Sequence, residues 1–97
     1  MSAEGLAGID NYLEIDDSLG TAGQPTIEQF DLLQDAGFET VINLALPTSD
    51  NAIANEGSIV TGHGQRYVHI PVDFAAPRNQ DFHLFTAIMD ECRDQKV

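Results

Sequence analysis

A chain of 97 residues, 42% of them hydrophobic, is long enough for one domain with a buried core and too apolar to be disordered. Its 16 acidic residues face only 4 basic ones, and the formal net charge of -12 disfavours binding to nucleic acid or to an anionic membrane surface. Residues 1–8 contain no Lys or Arg, and no apolar run approaches the ~20 residues of a membrane span, so neither a secretory signal nor a transmembrane helix is expected. Cys92 is the single cysteine, which excludes an internal disulfide and favours a reducing cytoplasm.

The chain begins with small and polar residues. Residues 1–10 predict a flexible N-terminal tail, and residues 11–97 predict a single domain. Within that domain, 11–15 predicts a short strand and 19–24 a second extended segment. Pro25 ends the second segment, because the residue before a proline is restricted to extended geometry.

A helix is predicted next, over residues 26–36. Thr26 and Gln29 have the spacing of a capping box, apolar residues recur at helical intervals, and Gly37 supplies a left-handed terminator. The β-branched and apolar run over 40–45 then predicts a strand that is buried on both faces.

A loop, a helix and a strand are predicted in the middle of the chain. The loop covers 47–51 and the second helix covers 52–63, where Gly57 and Gly62 weaken the helical pattern. Residues 66–72 predict the next strand.

A third helix and the start of a further strand complete the pattern. Asn79 is the expected N-cap of this helix, and residues 95–97 predict the further strand. The apolar seam of the helix is expected to contain Phe82, Phe85, Ile88, Met89 and Cys92. Strands that alternate with helices predict an α/β domain with a mostly parallel sheet and helices on its faces.

Four short motifs follow one another in this chain, and they are Gly23-Gln24-Pro25-Thr26, Ala36-Gly37-Phe38, Val41-Ile42-Asn43-Leu44 and His69-Ile70-Pro71-Val72. Their order and spacing resemble a bacterial family of tyrosine/dual-specificity phosphatase-like proteins, and the resemblance covers residues 11–97. It implies that the third helix leads into a strand ending in His-Cys, followed by five loop residues and an Arg. The Cys thiolate of such enzymes attacks phosphorus, loop amides and the Arg hold the phosphate oxygens, and an Asp protonates the leaving oxygen, without a metal or other cofactor.

The resemblance also implies that the domain is incomplete. Val97 would lie inside the strand that delivers the nucleophile, so the catalytic Cys and Arg are absent from these 97 residues. Cys92 does not replace that nucleophile, because its place in a helix seam predicts a small buried core residue. Asp73 follows the last motif, where related phosphatases carry the general acid. Alternatively, Asp73 organises a turn over residues 73–76.

The histidines do not predict a metal site. His63, His69, Asp73 and His83 are of metal-ligand types, but their spacing matches no compact site such as His-x-x-x-His. No cofactor of any kind is expected.

Three functional interpretations remain open. The chain is the N-terminal part of a phosphatase that hydrolyses phosphate monoesters, or a non-catalytic protein-interaction or dimerising module derived from that fold, or a degenerate product without a selected activity. A phosphorylated substrate is expected only for the completed domain. A missing strand leaves unpaired backbone groups that invite another chain, so either the chain is marginally stable and partly molten or a partner fills the gap, and a symmetric or swapped homodimer is the simplest such partner. Nucleic acid and membranes are not expected as partners.

Overall fold

The computed structural model describes residues 6–46, 48, 52–73 and 75–97. Within them, four strands and three helices alternate along the chain, which confirms the predicted α/β class. They are β1 (Leu13–Asp16), β2 (Leu19–Thr21), α1 (Gln29–Asp35), β3 (Thr40–Asn43), α2 (Glu56–Gly62), β4 (Arg66–His69) and α3 (Asn79–Glu91). In this part of the chain, no helix is both long enough and apolar enough to cross a membrane.

The strands form two sheets of two strands each, so the mostly parallel sheet that was predicted is not what the described residues show. Strands β1 and β2 pair antiparallel, whereas β3 and β4 pair in parallel. The physical reason is the length of the connections. Only two residues join β1 to β2, and so short a turn permits only an antiparallel pair, whereas the crossover through α2 allows β3 and β4 to run in parallel.

The last residue lies beside β2. Its backbone N–H donates a hydrogen bond to the Ser18 carbonyl at 2.9 Å, and its carbonyl accepts one from the Gly20 N–H at 2.9 Å. This pattern is that of a parallel ladder in which Val97 stands opposite Leu19.

The preceding residue lies beside the start of β3. The Lys96 carbonyl accepts hydrogen bonds from the N–H groups of Glu39 and Thr40, at 2.7 and 3.3 Å. The backbone of residues 96–97 therefore joins the two sheets, with the hydrogen bonding of a strand at its first residues. It holds β2 and β3 two strand spacings apart, which is about 10 Å.

The core begins earlier in the chain than predicted. Leu6 and Ile9 are buried and form one cluster with Phe38. Ile9 donates a backbone hydrogen bond to the Leu6 carbonyl at 2.9 Å, so the chain turns there. Residues 6–10 thus do not behave as the predicted tail. Two apolar residues three positions apart are enough to anchor a turn, but they are too few to form a hydrophobic periodicity that the sequence would show. Residues 1–5 lie outside the described residues.

The first helix starts with the predicted capping box. Thr26 N–H donates to Gln29 Oε1 at 2.9 Å, and Gln29 N–H donates to Thr26 Oγ1 at 3.2 Å. The N–H groups of Phe30 and Asp31 bond three residues back, in the tighter 3₁₀ manner, so the α-helix itself begins at Gln29. Gly37 has the expected positive φ of 90°.

The second helix is shorter than predicted and starts at Glu56. The backbone of Gly57 lies close to β4, since a Cβ at this position would be only 3.1 Å from the Tyr67 ring. The glycine that weakened the helical pattern thus allows close packing. The predicted loop over 47–51 lies outside the described residues, except for Thr48.

Two expectations about the third helix are wrong. Arg78 occupies the N-cap position of α3, and Asn79 is the first helical residue. Phe82 is 64% exposed, although it shares a stripe with the half-buried Phe85 and Met89, and the buried side chain of the first turn is that of Asp81. Cys92 is buried, as expected of a core residue.

Candidate functional site

The carboxyl ends of β3 and β4 form one edge of the parallel sheet. The ladder continues past both strands, since Ile70 N–H donates to the Asn43 carbonyl at 2.8 Å and Val72 N–H donates to the Leu44 carbonyl at 3.0 Å. Open α/β sheets bind ligands outside the carboxyl ends of their strands. This carboxyl edge, where Asp73 is the next residue, is therefore the candidate site.

Asp73 is exposed at this edge and makes a turn. Its Oδ1 accepts a hydrogen bond from the Ala75 N–H at 3.0 Å, and its carbonyl accepts one from the Ala76 N–H at 2.9 Å. The turn that the sequence offered as the alternative role is thus formed. It also fixes the carboxylate at the edge, and the role of Asp73 as a general acid stays a prediction.

Asn43 fixes the chain where β3 ends. Its Oδ1 accepts a hydrogen bond from the Ala45 N–H at 2.9 Å, and its Nδ2 donates one to the Tyr67 hydroxyl at 2.9 Å. The Ala45 carbonyl lies 2.7 Å from His69 Nε2, which carries the proton if the imidazole donates to this oxygen. Side chains from β3 and β4 therefore hold the first loop residues in place.

A buried carboxylate lies next to this network. Glu56 is 5% exposed, and its Oε1 accepts a hydrogen bond from Gln24 Nε2 at 3.0 Å. Burial raises the pKa of Tyr67, and the neighbouring Glu56 carboxylate raises it further, while the hydrogen bond from Asn43 opposes the shift. Tyr67 is therefore a neutral phenol at neutral pH. Three of the four sequence motifs meet here, through Gln24, Asn43 and His69.

Sequence reasoning missed Glu56 and Tyr67. Glu56 is one of 16 acidic residues, and nothing in its sequence neighbourhood indicates that it is buried. The close approach of Gly57 to the Tyr67 ring brings α2 and β4 together, and a glycine inside a helical pattern was the one available signal.

A groove runs between β2 and β3, and we call it the strand slot. Its volume is about 420 Å³, and residues 96–97 lie at one end of it. It is lined by residues 19–25 in and after β2, by residues 40–45 in and after β3, by Val97, and by Tyr12, Leu33, Phe38, Glu56, Phe85 and Met89. The side chains along the slot are mostly apolar.

The other candidate residues lie apart from one another. His63 Nε2 contacts Asp31 Oδ1 at 2.8 Å, at the end of α2, whereas His83 is exposed on α3. Among the described ranges, no group of three or more His, Cys, Asp and Glu residues could hold a metal ion. Asp73 precedes α3, and Cys92 follows its end. The 13 residues of this helix span about 20 Å, so Cys92 lies far from Asp73.

Two crystal structures resemble this chain closely. Both are of the protein described as "Putative phosphatase (DUF442)" from Shewanella putrefaciens CN-32, at 1.40 and 1.60 Å resolution. Each is 39% identical to this chain and covers 97% of it, with TM-scores of 0.92 and 0.90. The chain covers only 62% and 60% of the two solved chains, so it spans about three-fifths of the length of that protein.

No family model matches the chain, and no curated protein matches it. The comparison therefore rests on the two solved structures, and their similarity to the chain indicates a phosphatase-like fold.

Proposed function

We propose that this chain is the N-terminal part of a cysteine-dependent phosphatase of the tyrosine/dual-specificity type. Such an enzyme would hydrolyse phosphate monoesters with a thiolate that lies in polypeptide beyond residue 97. One observation carries the proposal. The backbone of residues 96–97 is hydrogen-bonded between β2 and β3 and runs parallel to β2, so a chain that continued through the strand slot would emerge at the carboxyl edge.

The register gives the length of that continuation. Lys96 stands opposite Glu39, and Leu44 lies 44 − 39 = 5 residues further along, so five residues after Lys96 would reach the level of Leu44. The loop after this strand would then emerge beside Asp73, because the Val72 N–H is bonded to the Leu44 carbonyl.

The chemistry proceeds in two steps. The thiolate attacks phosphorus, an S–P bond forms, the P–O ester bond breaks, and Asp73 gives its proton to the leaving oxygen. Water then attacks the phosphocysteine, the Asp73 carboxylate takes a proton from that water, the S–P bond breaks and inorganic phosphate leaves. The Asn43 network holds the neighbouring loop still while charge moves.

The basic residues of the chain are committed elsewhere. Arg78 donates to both carboxylate oxygens of Asp81, at 3.0 and 3.3 Å, and this hydrogen bonding holds the pKa of Asp81 below its usual value. Lys96 Nζ donates to a backbone carbonyl at 2.7 Å, Arg93 pairs with an acidic residue of its own turn at 3.4 Å, and Arg66 begins β4 at the opposite edge of the sheet. Residues 1–97 alone therefore lack a guanidinium placed for phosphate, and the proposal expects them to be inactive.

The test compares two chains. Purified 1–97 and the chain extended to the end of its natural reading frame are assayed with p-nitrophenyl phosphate, with and without vanadate. We expect turnover only in the extended chain, inhibited by vanadate and lost when its His-Cys cysteine is replaced by serine. Cys92→Ser serves as the matched control and should leave turnover unchanged. An extended frame without His-Cys and a later Arg, or vanadate-sensitive turnover by 1–97 itself, would refute the proposal.

A second candidate function is a non-catalytic protein-interaction or dimerising module of the same fold. The observation that favours it is the strand slot, whose two rims expose backbone groups at strand spacing. An extended chain that binds a partner protein and shows no turnover would decide for this function.

A further inference from the structure

The chain before β1 packs on the rest of the domain, and we call residues 6–12 the N-terminal strap. Two of its side chains, Leu6 and Ile9, are 5% and 2% exposed and pack against Phe38. Phe38 lies more than 25 residues further along the chain, so a tertiary contact anchors the strap.

The strap is hydrogen-bonded to the chain on either side of the start of α1. The Gly23 N–H donates to the Asp10 carbonyl at 2.8 Å, and Gln29 Nε2 donates to the Gly8 carbonyl at 3.3 Å. The first contact is close, since a Cβ at position 23 would lie 3.2 Å from the Asp10 carbonyl oxygen and 3.2 Å from Asp10 Oδ2. Glycine therefore allows the strap to approach here, and the docked strap fixes the backbone of Gly23.

Gln24 extends this contact to the candidate site. Its Nε2 donates to Glu56 Oε1 and to the Pro25 carbonyl, both at 3.0 Å. A carboxylate that is 5% exposed needs hydrogen-bond donors in place of water. Glu56 lines a cavity of about 180 Å³ together with Asn43 and Tyr67, whose side chains share the 2.9 Å hydrogen bond. A continuous series of contacts thus leads from the strap through Gln24 to the network at the carboxyl edge.

The strap can open while the sheets stay formed. Its two described hydrogen bonds to the rest of the domain belong neither to a strand ladder nor to the backbone of a helix, and its apolar anchors are two side chains. Segments with few buried apolar contacts open locally, at a lower free energy than the whole domain. Opening removes the Asp10 carbonyl from Gly23, so the next residue, Gln24, loses its fixed place beside Glu56.

We infer that the N-terminal strap is a conformational switch for the carboxyl edge. With the strap docked, Gln24 holds Glu56 and the network of Asn43 and Tyr67 is ordered; with the strap released, Gln24 leaves Glu56 and the network loosens with it. Any binding event that favours one position of the strap then changes the order of the edge by the same free energy. This device goes beyond both candidate functions and requires neither of them.

Hydrogen exchange of 1–97, followed for single amides by NMR, tests whether the strap and the edge open together. The Gly23 amide reports on the strap, because its partner is the Asp10 carbonyl. The Ala45 amide reports on the edge, because its partner is Asn43 Oδ1. The amide of the buried Cys92, after α3, is the reference outside these contacts. Amides that are released by one opening event respond together to a change that favours this event.

Two isoleucines give a matched pair of variants. Ile9→Ala removes a buried anchor of the strap, whereas Ile15→Ala shortens a side chain that is 50% exposed on β1. Ile9→Ala should raise the exchange rates of the Gly23 and Ala45 amides by about 10-fold or more, and Ile15→Ala should change both by less than about 2-fold. The Cys92 amide should stay within about 2-fold in both variants, because the strap opens without the rest of the domain.

A glycine pair keeps the test decisive if circular dichroism shows that Ile9→Ala does not fold. Gly23→Ala presses a Cβ against Asp10 and should raise the exchange rate of the Ala45 amide by about 10-fold, without a rise at the Cys92 reference. Gly62→Ala is the matched control, since its Cβ meets nothing within 4 Å, and it should leave the Ala45 amide within about 2-fold.

Gln24→Ala tests the link between strap and edge. It should raise the exchange rate of the Ala45 amide and leave that of Gly23 within about 2-fold, and adding Ile9→Ala should then raise only the Gly23 rate. The inference is overturned if the Ala45 rate does not follow the strap variants, if Cys92 rises equally, or if Ala45 still follows Ile9→Ala without Gln24. Phosphatase assays do not enter this test, so either result leaves the proposed function to its own experiment.

Discussion

Replacing Asn43 by Ala should destabilise the carboxyl edge of β3. The substitution removes the hydrogen bonds to the Ala45 N–H and to the Tyr67 hydroxyl, both 2.9 Å long. Each such bond contributes about 0.5–1.5 kcal/mol net, and a buried polar group left without a partner costs about 1–3 kcal/mol. Since Asn43 is half-buried and water can reach part of the network, we expect the free energy of unfolding to fall by about 2 kcal/mol.

A double-mutant cycle isolates the bond between the two side chains. Tyr67→Phe removes this bond together with the interaction of the hydroxyl with Glu56, and it should cost about 1 kcal/mol. Its coupling to Asn43→Ala reports the shared bond alone and should also be about 1 kcal/mol. Tyr12→Phe is the matched control, because Tyr12 belongs to the Leu6–Ile9–Phe38 cluster and should show no coupling to Asn43→Ala.

Urea unfolding followed by circular dichroism gives the three free energies, provided that the dependence on urea concentration is the same in all variants. In a thermal melt, a loss of about 2 kcal/mol would lower the Tm of a chain of this size by roughly 8–16 °C. A coupling no larger than that of the Tyr12 control would show that this hydrogen bond does not hold the edge together, and that Asn43 and Tyr67 do not form a fixed network there.

Three further predictions concern the acid, the second helix and self-association. In the extended chain, Asp73→Asn should lower kcat by about 10²- to 10⁴-fold with little change in phosphate binding, and an unchanged pH–rate profile would leave Asp73 a turn residue only. Gly62→Ala should raise the free energy of unfolding by about 0.5–1 kcal/mol, since a Cβ there meets nothing within 4 Å. Gly57→Ala should give no such increase, because its Cβ would lie 3.1 Å from the Tyr67 ring. Equal denaturation midpoints of the two variants would contradict this packing. Sedimentation of 1–97 should show more dimer at high salt, where the repulsion between chains of charge -12 is screened, and a monomer under all conditions would remove the homodimer.

The local signals of the sequence predicted local structure well. The capping box of Thr26 and Gln29 and the terminator Gly37 are confirmed because each depends on residues within one turn of one another. The order of strands and helices is confirmed for the same reason. The start of α1 differs from the prediction, since the first turn adopts the tighter 3₁₀ bonding, which propensity does not distinguish from an α-helix.

The contacts that build the candidate site are distant in sequence, and this is why the pattern did not reveal them. Gln24 and Glu56 are 32 residues apart, and Asn43 and Tyr67 are 24 residues apart. The motifs singled out Gln24 and Asn43 by resemblance alone. Their partners, Glu56 and Tyr67, are brought to them by the packing of α2 on β4 at Gly57, which the sequence does not show.

The two candidate functions depend on one feature, the strand slot, and they exclude each other within one molecule. A segment that continues from Val97 is tethered at the mouth of the slot, and a short tether corresponds to an effective concentration in the millimolar range. A separate peptide of micromolar affinity, present at micromolar concentration, would be outcompeted by such a segment by roughly a thousandfold. A chain whose own strand fills the slot therefore places a loop beside Asp73 and does not accept a partner. Under the second candidate function, a chain whose slot stays open would bind an extended partner through the backbone groups of β2 and β3, and its Asp73 would have no nucleophile near it.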